Sequence, residues 1–231
     1  MPEPRATILV IEDEPEIRRF LRSSLGAEGY RVVEASSGRR GSIDAGTHKP
    51  DLVIIDLGLP DVDGVDVIRQ IRQWSRMPIL VVSARMNERS KIDALDAGAN
   101  DYITKPFGVG ELFARVRASL RNASALASGT NVLVLEHASI DLVRRTATRD
   151  GKEIRLTPIE YRLITCLARQ TGTVITHRQL LTEVWGPSHS GQTHYLRIYM
   201  KQLRDKLEAD PVRPRHLITE TGVGYRLMVD E

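Results

Sequence analysis

Five polar residues in the first half of the chain stand where an apolar run ends. Glu12 and Asp13 follow Thr7–Ile11, Asp56 closes the run at 51–55, Ser83 follows 79–82, and Lys105 lies just past 101–103. Three carboxylates gathered at one point with no cation would repel and raise one another's pKa. A hard divalent ion resolves that conflict, and Mg2+ binds through one or two carboxylates plus waters and phosphate oxygens. A metal beside an exposed carboxylate also permits chemistry, because aspartate is a competent nucleophile in aspartyl-phosphate formation. The ion and the Lys105 ammonium would neutralise the equatorial oxygens of a transferring phosphoryl group, and the Ser83 hydroxyl would bind a phosphoryl oxygen afterwards. The Lys105-Pro106 bond is a candidate cis peptide, since cis bonds are essentially confined to proline and that turn must aim the lysine inward. Taken singly, each residue has a plainer reading. Glu12-Asp13-Glu14 could cap the next helix with Pro15 in its first turn, and a lone lysine is a solvated one. Their joint placement is what the plainer readings leave unexplained.

The elements that must position these residues are legible in the hydrophobic pattern. Strand-like runs at Thr7–Ile11, 30–34, 51–55, 79–82 and 101–103 alternate with amphipathic stretches near 14–25, 38–46, 64–75, 90–97 and 110–121. In the first of these stretches Ile17, Phe20, Leu21 and Leu25 line one face of a helix. Five strands alternating with five helices predict a parallel sheet covered on both faces. Ligands of such open sheets bind outside the carboxyl ends of the strands, where the strand order reverses. If the first and third strands are neighbours, Glu12, Asp13 and Asp56 converge at that point.

The second half is of a different kind. The small, polar stretch 122–131 has no hydrophobic stripe and reads as a linker between a domain at 1–121 and another at 132–231. Short strand-like pieces with an Asp150-Gly151 turn occupy 132–156 and predict a small antiparallel sheet. Helical patterns follow at 158–170, 177–185 and 192–208, then a hairpin at 217–229. Leu196, Met200, Leu203 and Leu207 form one apolar stripe of the 192–208 helix; His194, Arg197, Lys201 and Arg204 form a neighbouring stripe of cations. A helix that packs on one face and is basic on another suits the major groove of DNA. By itself such a stripe is also a solvated face. The preceding helix and loop, and the glycine-tipped hairpin that follows, give the pattern of helix, loop, recognition helix and wing.

Charge and composition agree. Of the 33 Lys+Arg and 30 Asp+Glu in 231 residues, residues 1–121 carry 18 of each, so the whole net charge of +3 lies in the second half, with five of the six histidines. No apolar run reaches the roughly 20 residues of a membrane span, and the N-terminus lacks the layout of a signal peptide, so no membrane partner and a cytoplasmic location are expected. Cys166 is the only cysteine, which excludes a disulfide or a cysteine-rich zinc site within one chain. Among Leu163, Ile164 and Leu167 it is expected in the core.

Three motifs carry a resemblance. Val10-Ile11-Glu12-Asp13-Glu14, Ile55-Asp56-Leu57-Gly58-Leu59-Pro60-Asp61 and Thr104-Lys105-Pro106-Phe107 resemble the receiver domains of two-component systems. The resemblance implies a flavodoxin-like (βα)5 fold in which Asp56 accepts a phosphoryl group from a sensor histidine kinase. It implies a Mg2+ site of Glu12, Asp13, Asp56 and the Gly58 carbonyl, and Ser83 and Tyr102 as the pair that reports phosphorylation. It implies no enzyme acting on a separate substrate, although a receiver catalyses its own phosphorylation and slow dephosphorylation. Leu156-Thr157-Pro158-Ile159-Glu160-Tyr161 and Gly222-Val223-Gly224-Tyr225-Arg226 resemble the winged helix-turn-helix of OmpR/PhoB-type regulators. That match implies binding of double-stranded promoter DNA through His194, Arg197, Lys201 and Arg204, with Thr221, Tyr225 and Arg226 in the wing. It also implies a homodimer on phosphorylation, formed through a face that includes Lys91, Asp96, Asp101, Glu111 and Arg115, with Lys91–Glu111 and Asp101–Arg115 pairing across the interface. Asn100 and Asn122 stand where that family commonly has an acid and an arginine, so a bridging pair is expected to be missing. Arg72-Gln73-Trp74-Ser75, Val184-Trp185-Gly186-Pro187, Tyr195-Leu196-Arg197-Ile198-Tyr199-Met200 and Pro214-Arg215-His216 narrow the likeness to the Kdp-type regulators of high-affinity potassium transport, which implies a KdpD-like sensor kinase as partner.

Two rival readings remain on the residues. A haloacid-dehalogenase-type phosphatase also uses Asp, Mg2+ and Lys on an α/β sheet, but needs a second acid two residues after the nucleophile, and position 58 is Gly. A DNA-binding module independent of phosphorylation would have no use for intact Asp13, Asp56 and Lys105.

Overall fold

A computed structural model describes residues 6–128, 132–189 and 191–230. The chain divides into two compact units, Met1–Ala123 and Ser124–Glu231.

The first unit alternates β1 (Thr7–Ile11), α1 (Pro15–Ala27), β2 (Arg31–Ala35), α2 (Gly38–His48), β3 (Leu52–Ile55), α3 (Gly64–Arg72), β4 (Ile79–Ser83), α4 (Glu88–Asp96), β5 (Asp101–Thr104) and α5 (Val109–Ser128). All five strands are parallel, in the order β2-β1-β3-β4-β5. Every residue of β3 and β4 is buried, as expected for strands covered on both faces. One face of the sheet packs Ile8, Val10, Leu52, Ile54, Leu80 and Val82 against Leu21 and Leu25 of α1 and Leu112 and Val116 of α5. β1 and β3 are neighbours, so the strand order reverses between them and the acidic residues at their carboxyl ends meet.

The helix starts follow from the sequence. Asp63 and Asn87 accept the backbone N–H of Val65 and Ser90 and so cap α3 and α4, while Pro15 opens α1. α5 differs from the sequence reading. It runs on to Ser128, so residues 122–128, read above as linker, are helical. Ala and Leu are strong helix formers, and extending an existing helix requires no new nucleus. The remaining linker positions, 129–131, lie outside the described residues.

The second unit opens with a four-stranded antiparallel sheet of β6 (Val132–Val134), β7 (Ala138–Asp141), β8 (Thr146–Arg149) and β9 (Lys152–Ile154). α6 (Pro158–Ala168), β10 (Val174–Thr176), α7 (His177–Trp185), α8 (Thr193–Leu207), β11 (Leu217–Glu220) and β12 (Gly224–Leu227) follow. Thr157 with Glu160, and Thr176 with Gln179, form capping boxes that start α6 and α7. β10 has no counterpart in the sequence reading: three residues are too few to show alternation, and the strand exists only because β12 pairs with it. The order β10-β12-β11 makes β12 the central strand of the second sheet. Leu196, Met200, Leu203 and Leu207 of α8 join Leu163, Leu167, Leu180, Leu181 and Tyr225 in one core, and Cys166 is buried in it as expected.

Candidate functional site

The ends of the parallel strands are fixed by the sheet's own hydrogen bonds. Beyond each strand end one more backbone bond forms: Glu12 N–H donates to Ala35 O, Asp56 N–H to Ile11 O, both at 3.0 Å, and Lys105 N–H to Ser83 O at 2.9 Å. The side chains therefore project from an extension of the rigid sheet. Arg18, one turn into α1, donates to the carbonyl oxygens of Glu12 at 2.7 Å and Asp13 at 3.0 Å and holds the acidic loop down. Nothing in the sequence marks Arg18 for that task, because its partners are main-chain atoms.

Glu12, Asp13 and Asp56 each offer a carboxylate oxygen, and these oxygens all lie within 4.8 Å of one another. Lys105 Nζ sits 2.8 Å from Glu12 Oε2, 2.8 Å from Asp56 Oδ2 and 3.2 Å from Glu14 Oε1. Asp56 also accepts the Gly58 N–H at 3.2 Å and a hydrogen bond from the Ser83 hydroxyl. Burial alone would raise the Asp56 carboxyl, but the donors Lys105, Ser83 and Gly58 outweigh it and hold it below the usual carboxylate range. Glu12 goes the other way: its burial outweighs Lys105 and pushes its pKa up. Lys105 is held above its ordinary value, because the two carboxylates overcome the effect of its own burial. The site therefore keeps Asp56 anionic and Lys105 cationic at neutral pH. Hard oxygen donors this close together, with one carboxylate still disfavoured as an anion, fit a divalent cation such as Mg2+. The Lys105-Pro106 peptide is cis.

Tyr102 is buried, and its hydroxyl donates to Arg85 O at 2.6 Å. The Ser83 hydroxyl lies against both Tyr102 and Asp56, so the two residues expected to report phosphorylation are already in contact with the site. Arg85, which the sequence reading did not single out, pairs with Asp63 at 2.9 Å and donates to Leu57 O at 3.0 Å. It thereby ties the loop after β4 to the loop after β3.

On the face formed by α4, β5 and α5, one of the expected pairs is made within the chain. Asp101 is buried, not offered outward; it binds Arg115 at 2.7 Å in its own chain, and Arg115 also holds Glu111 at 3.1 Å. A buried carboxylate cannot wait unpaired for another subunit, so the chain supplies the guanidinium itself. Asn100 is not idle either. Its Oδ1 accepts from Ile79 N–H and from Arg72, whose guanidinium reaches the Gly98 and Ser75 carbonyls as well. The side chain of Asn122 lies outside the described residues.

In the second unit the structure separates the expected DNA contacts into two groups. His194, Arg197, Lys201 and Thr221 are exposed. Arg204, Tyr225 and Arg226 are not offered to a ligand. Arg204 donates to Leu217 O at 2.9 Å and Thr219 Oγ1 at 2.6 Å and lies over the Tyr225 ring, so it fastens α8 to the wing. Tyr225 is core, its ring edge-on to His177, and Arg226 is buried between Glu220 and the Gly172 carbonyl. Periodicity gives the face of a helix but not the reach of a long side chain toward a neighbouring strand. Arg204→Ala is expected to cost the domain roughly 1.5–3 kcal/mol, the worth of charged hydrogen bonds lost from a part-buried site. Urea unfolding would check it: an unchanged midpoint would return Arg204 to the exposed face.

Two more couplings hold α8 in place. Lys206 Nζ binds Glu160 at 2.6 Å, joining α8 to the start of α6, and Glu208 accepts the backbone N–H groups of Arg215, His216 and Leu217. Tyr195 and Ile198 entered the sequence reading only as part of the Kdp-type motif, with no contact assigned to them. They are the large apolar residues that α8 leaves exposed.

An acidic, lysine-bearing pocket at the switch point of a (βα)5 sheet, followed by a winged helix-turn-helix, defines a two-component response regulator that binds DNA. Residues 8–117 match the response regulator receiver domain and residues 151–227 the family described as transcriptional regulatory protein, C terminal. The KDP operon transcriptional regulatory protein KdpE of Escherichia coli K12 is 54% identical over 96% of this chain and 99% of its own. Transcriptional regulatory protein KdpE of Mycobacterium tuberculosis H37Rv is 48% identical over 95% and 97%. Among solved structures, a point mutant of RitR covers 97% of this chain and 99% of its own, at 26% identity and a TM-score of 0.51. The chain belongs to the OmpR/PhoB-type response regulators, within which it is a KdpE-like transcription factor. No helix among the described residues is long and apolar enough to cross a membrane.

Proposed function

We propose that Asp56 accepts a phosphoryl group from a KdpD-like sensor histidine kinase, and that the phosphorylated chain dimerises and binds promoter DNA to control potassium-transport genes. One observation carries the first step: a carboxylate held anionic at a sheet end, 2.8 Å from a lysine and beside two further acids. Asp56 attacks phosphorus, an O–P bond forms as the bond to the kinase's phosphohistidine breaks, and the electron pair returns to the imidazole. Lys105 moves its charge from the Asp56 carboxylate to an equatorial phosphoryl oxygen, and the Ser83 hydroxyl, already beside Asp56, donates to another. Mg2+, held by Glu12, Asp13, Asp56 and the Gly58 carbonyl, supplies further charge neutralisation when bound. Intact-mass measurement of the chain with and without kinase and Mg2+ tests this. No adduct in the complete mixture overturns it.

The added phosphate charge then biases the surface of α4, β5 and α5 through Ser83 and Tyr102. The likeness to a KDP operon regulator over nearly the whole chain supports the choice of kinase and target genes. Because Arg115 is already satisfied by Asp101 and Glu111, dimerisation exchanges ion pairs and gains little from each, so the dimer is expected to be modest in affinity. Arg115→Ala, which also takes the guanidinium from buried Asp101 and so is read beside a thermal midpoint, should weaken the phosphorylated dimer several-fold and weaken any association of the unphosphorylated chain less. Sedimentation across a concentration series measures both, and identical behaviour of variant and parent in both states would count against this face. Two winged helices tethered to one dimer bind adjacent direct-repeat half-sites through increased effective concentration. Arg197 and Lys201 read base edges, while His194 and Thr221 contact the neighbouring backbone.

A further inference from the structure

The α8 surface opposite the core is not wholly basic. At about 100° per residue, Ile198 lies roughly 170° around the helix from the buried stripe of Leu196, Met200, Leu203 and Leu207. It stands on the crest of the exposed face, 41% exposed, and belongs neither to the core cluster nor to the residues packed against it. Tyr195, one turn earlier and 52% exposed, extends the apolar surface on one side; Arg197 and Lys201 flank it on the other. Asp205 shares the crest further along and pairs with Lys201 at 3.6 Å, so the acid-free, groove-compatible part of the crest is its N-terminal half. We propose that Ile198 is a specificity-determining residue that reads the C5-methyl group of a thymine in the major groove.

The chemistry selects that occupant. The floor of the major groove presents hydrogen-bonding edges, and its one apolar group is the thymine methyl. Flanking cations draw the crest toward phosphates, which brings a branched aliphatic side chain against the base pairs. A second copy of the chain is the poorer partner, since it would set the same Arg197 and Lys201 cations face to face. The assignment rests on the DNA-binding reading above and adds to it an A·T preference that Arg197 and Lys201 cannot supply.

Replacement of thymine by uracil removes only the methyl and provides the test. Duplexes are first selected from random DNA with the full chain treated with acetyl phosphate and Mg2+. Each thymine of the enriched site is then replaced singly by uracil, and binding is measured for the parent and for Ile198→Ala. At one position per half-site the parent should lose about fourfold, the worth of one methyl group taken from water. Ile198→Ala should bind the thymine site about as weakly as the parent binds the uracil site and lose nothing more on replacement. Ile198 is exposed and alanine favours helix, so the variant folds. Parent and variant equally sensitive at every thymine, or a parent sensitive at none, would overturn the role of Ile198 while leaving DNA binding intact. Failure to enrich any sequence would overturn the DNA reading and this inference with it.

Discussion

Asp56→Asn is expected to take up no phosphoryl group from acetyl phosphate or from a kinase, against near-stoichiometric uptake by the parent chain. The nucleophile must be an anion, must project from the sheet end and must lie within reach of a cation. Asp56 has its pKa held down by Lys105, Ser83 and Gly58 against the effect of burial. Glu12, its nearest competitor, is pushed the opposite way by its burial. An amide keeps the shape and can still accept from Lys105 Nζ, and removing one of three crowded carboxylates relieves repulsion on the others. The fold should therefore hold, with a thermal midpoint equal to or slightly below the parent's, because the depressed Asp56 pKa means that the folded state favours the charge the amide lacks. Intact mass and calorimetry on the same samples give both answers. Undiminished labelling of the variant would move the phosphoacceptor elsewhere.

Gly224→Ala should destabilise the second unit by about 3 kcal/mol or more, the upper range for overpacking, and abolish DNA binding while phosphorylation at Asp56 continues. A Cβ at position 224 would press into the Ile175 carbonyl, the main chain of Thr176 standing just behind it. Backbone cannot swing aside as a flexible side chain can. The strand pair must part where Thr176 faces Gly224, and β12 is the strand on which both β10 and β11 depend. The wing would lose its root, and with it the carbonyl of Leu217 that anchors Arg204 of α8. Gly222 serves the same hairpin differently: its φ of 75° lies in the left-handed region, where a side chain is strained. Urea unfolding of the whole chain, followed by two probes that separate the units, measures the effect. A variant with parental midpoint and DNA affinity would show that β10 and β12 have room to spare.

The sequence by itself determined the parallel sheet, the two-domain organisation, the acidic pocket and the winged helix. Buried strands such as β3 and β4 read as unbroken aliphatic runs because both faces are covered, and Glu12, Asp56, Ser83 and Lys105 are legible because each stands at or near the end of such a run. Capping boxes at Thr157 and Thr176 are equally local, since all their atoms lie within four residues. What only the tertiary structure decided is where long side chains spend their hydrogen bonds. Arg204 and Arg226 look like groove-facing cations in sequence, yet each meets a carbonyl or carboxylate brought in from another element. Asp101 reads as an interface charge, yet burial obliges it to find Arg115 at once. Arg18 and Arg85 bind main-chain oxygens, which every residue possesses and no pattern announces. β10 is too short to carry a period of its own and becomes a strand only beside β12. Periodicity reports which face a residue occupies; the reach of an arginine, and the partner a buried charge must find, depend on chain segments far away in sequence.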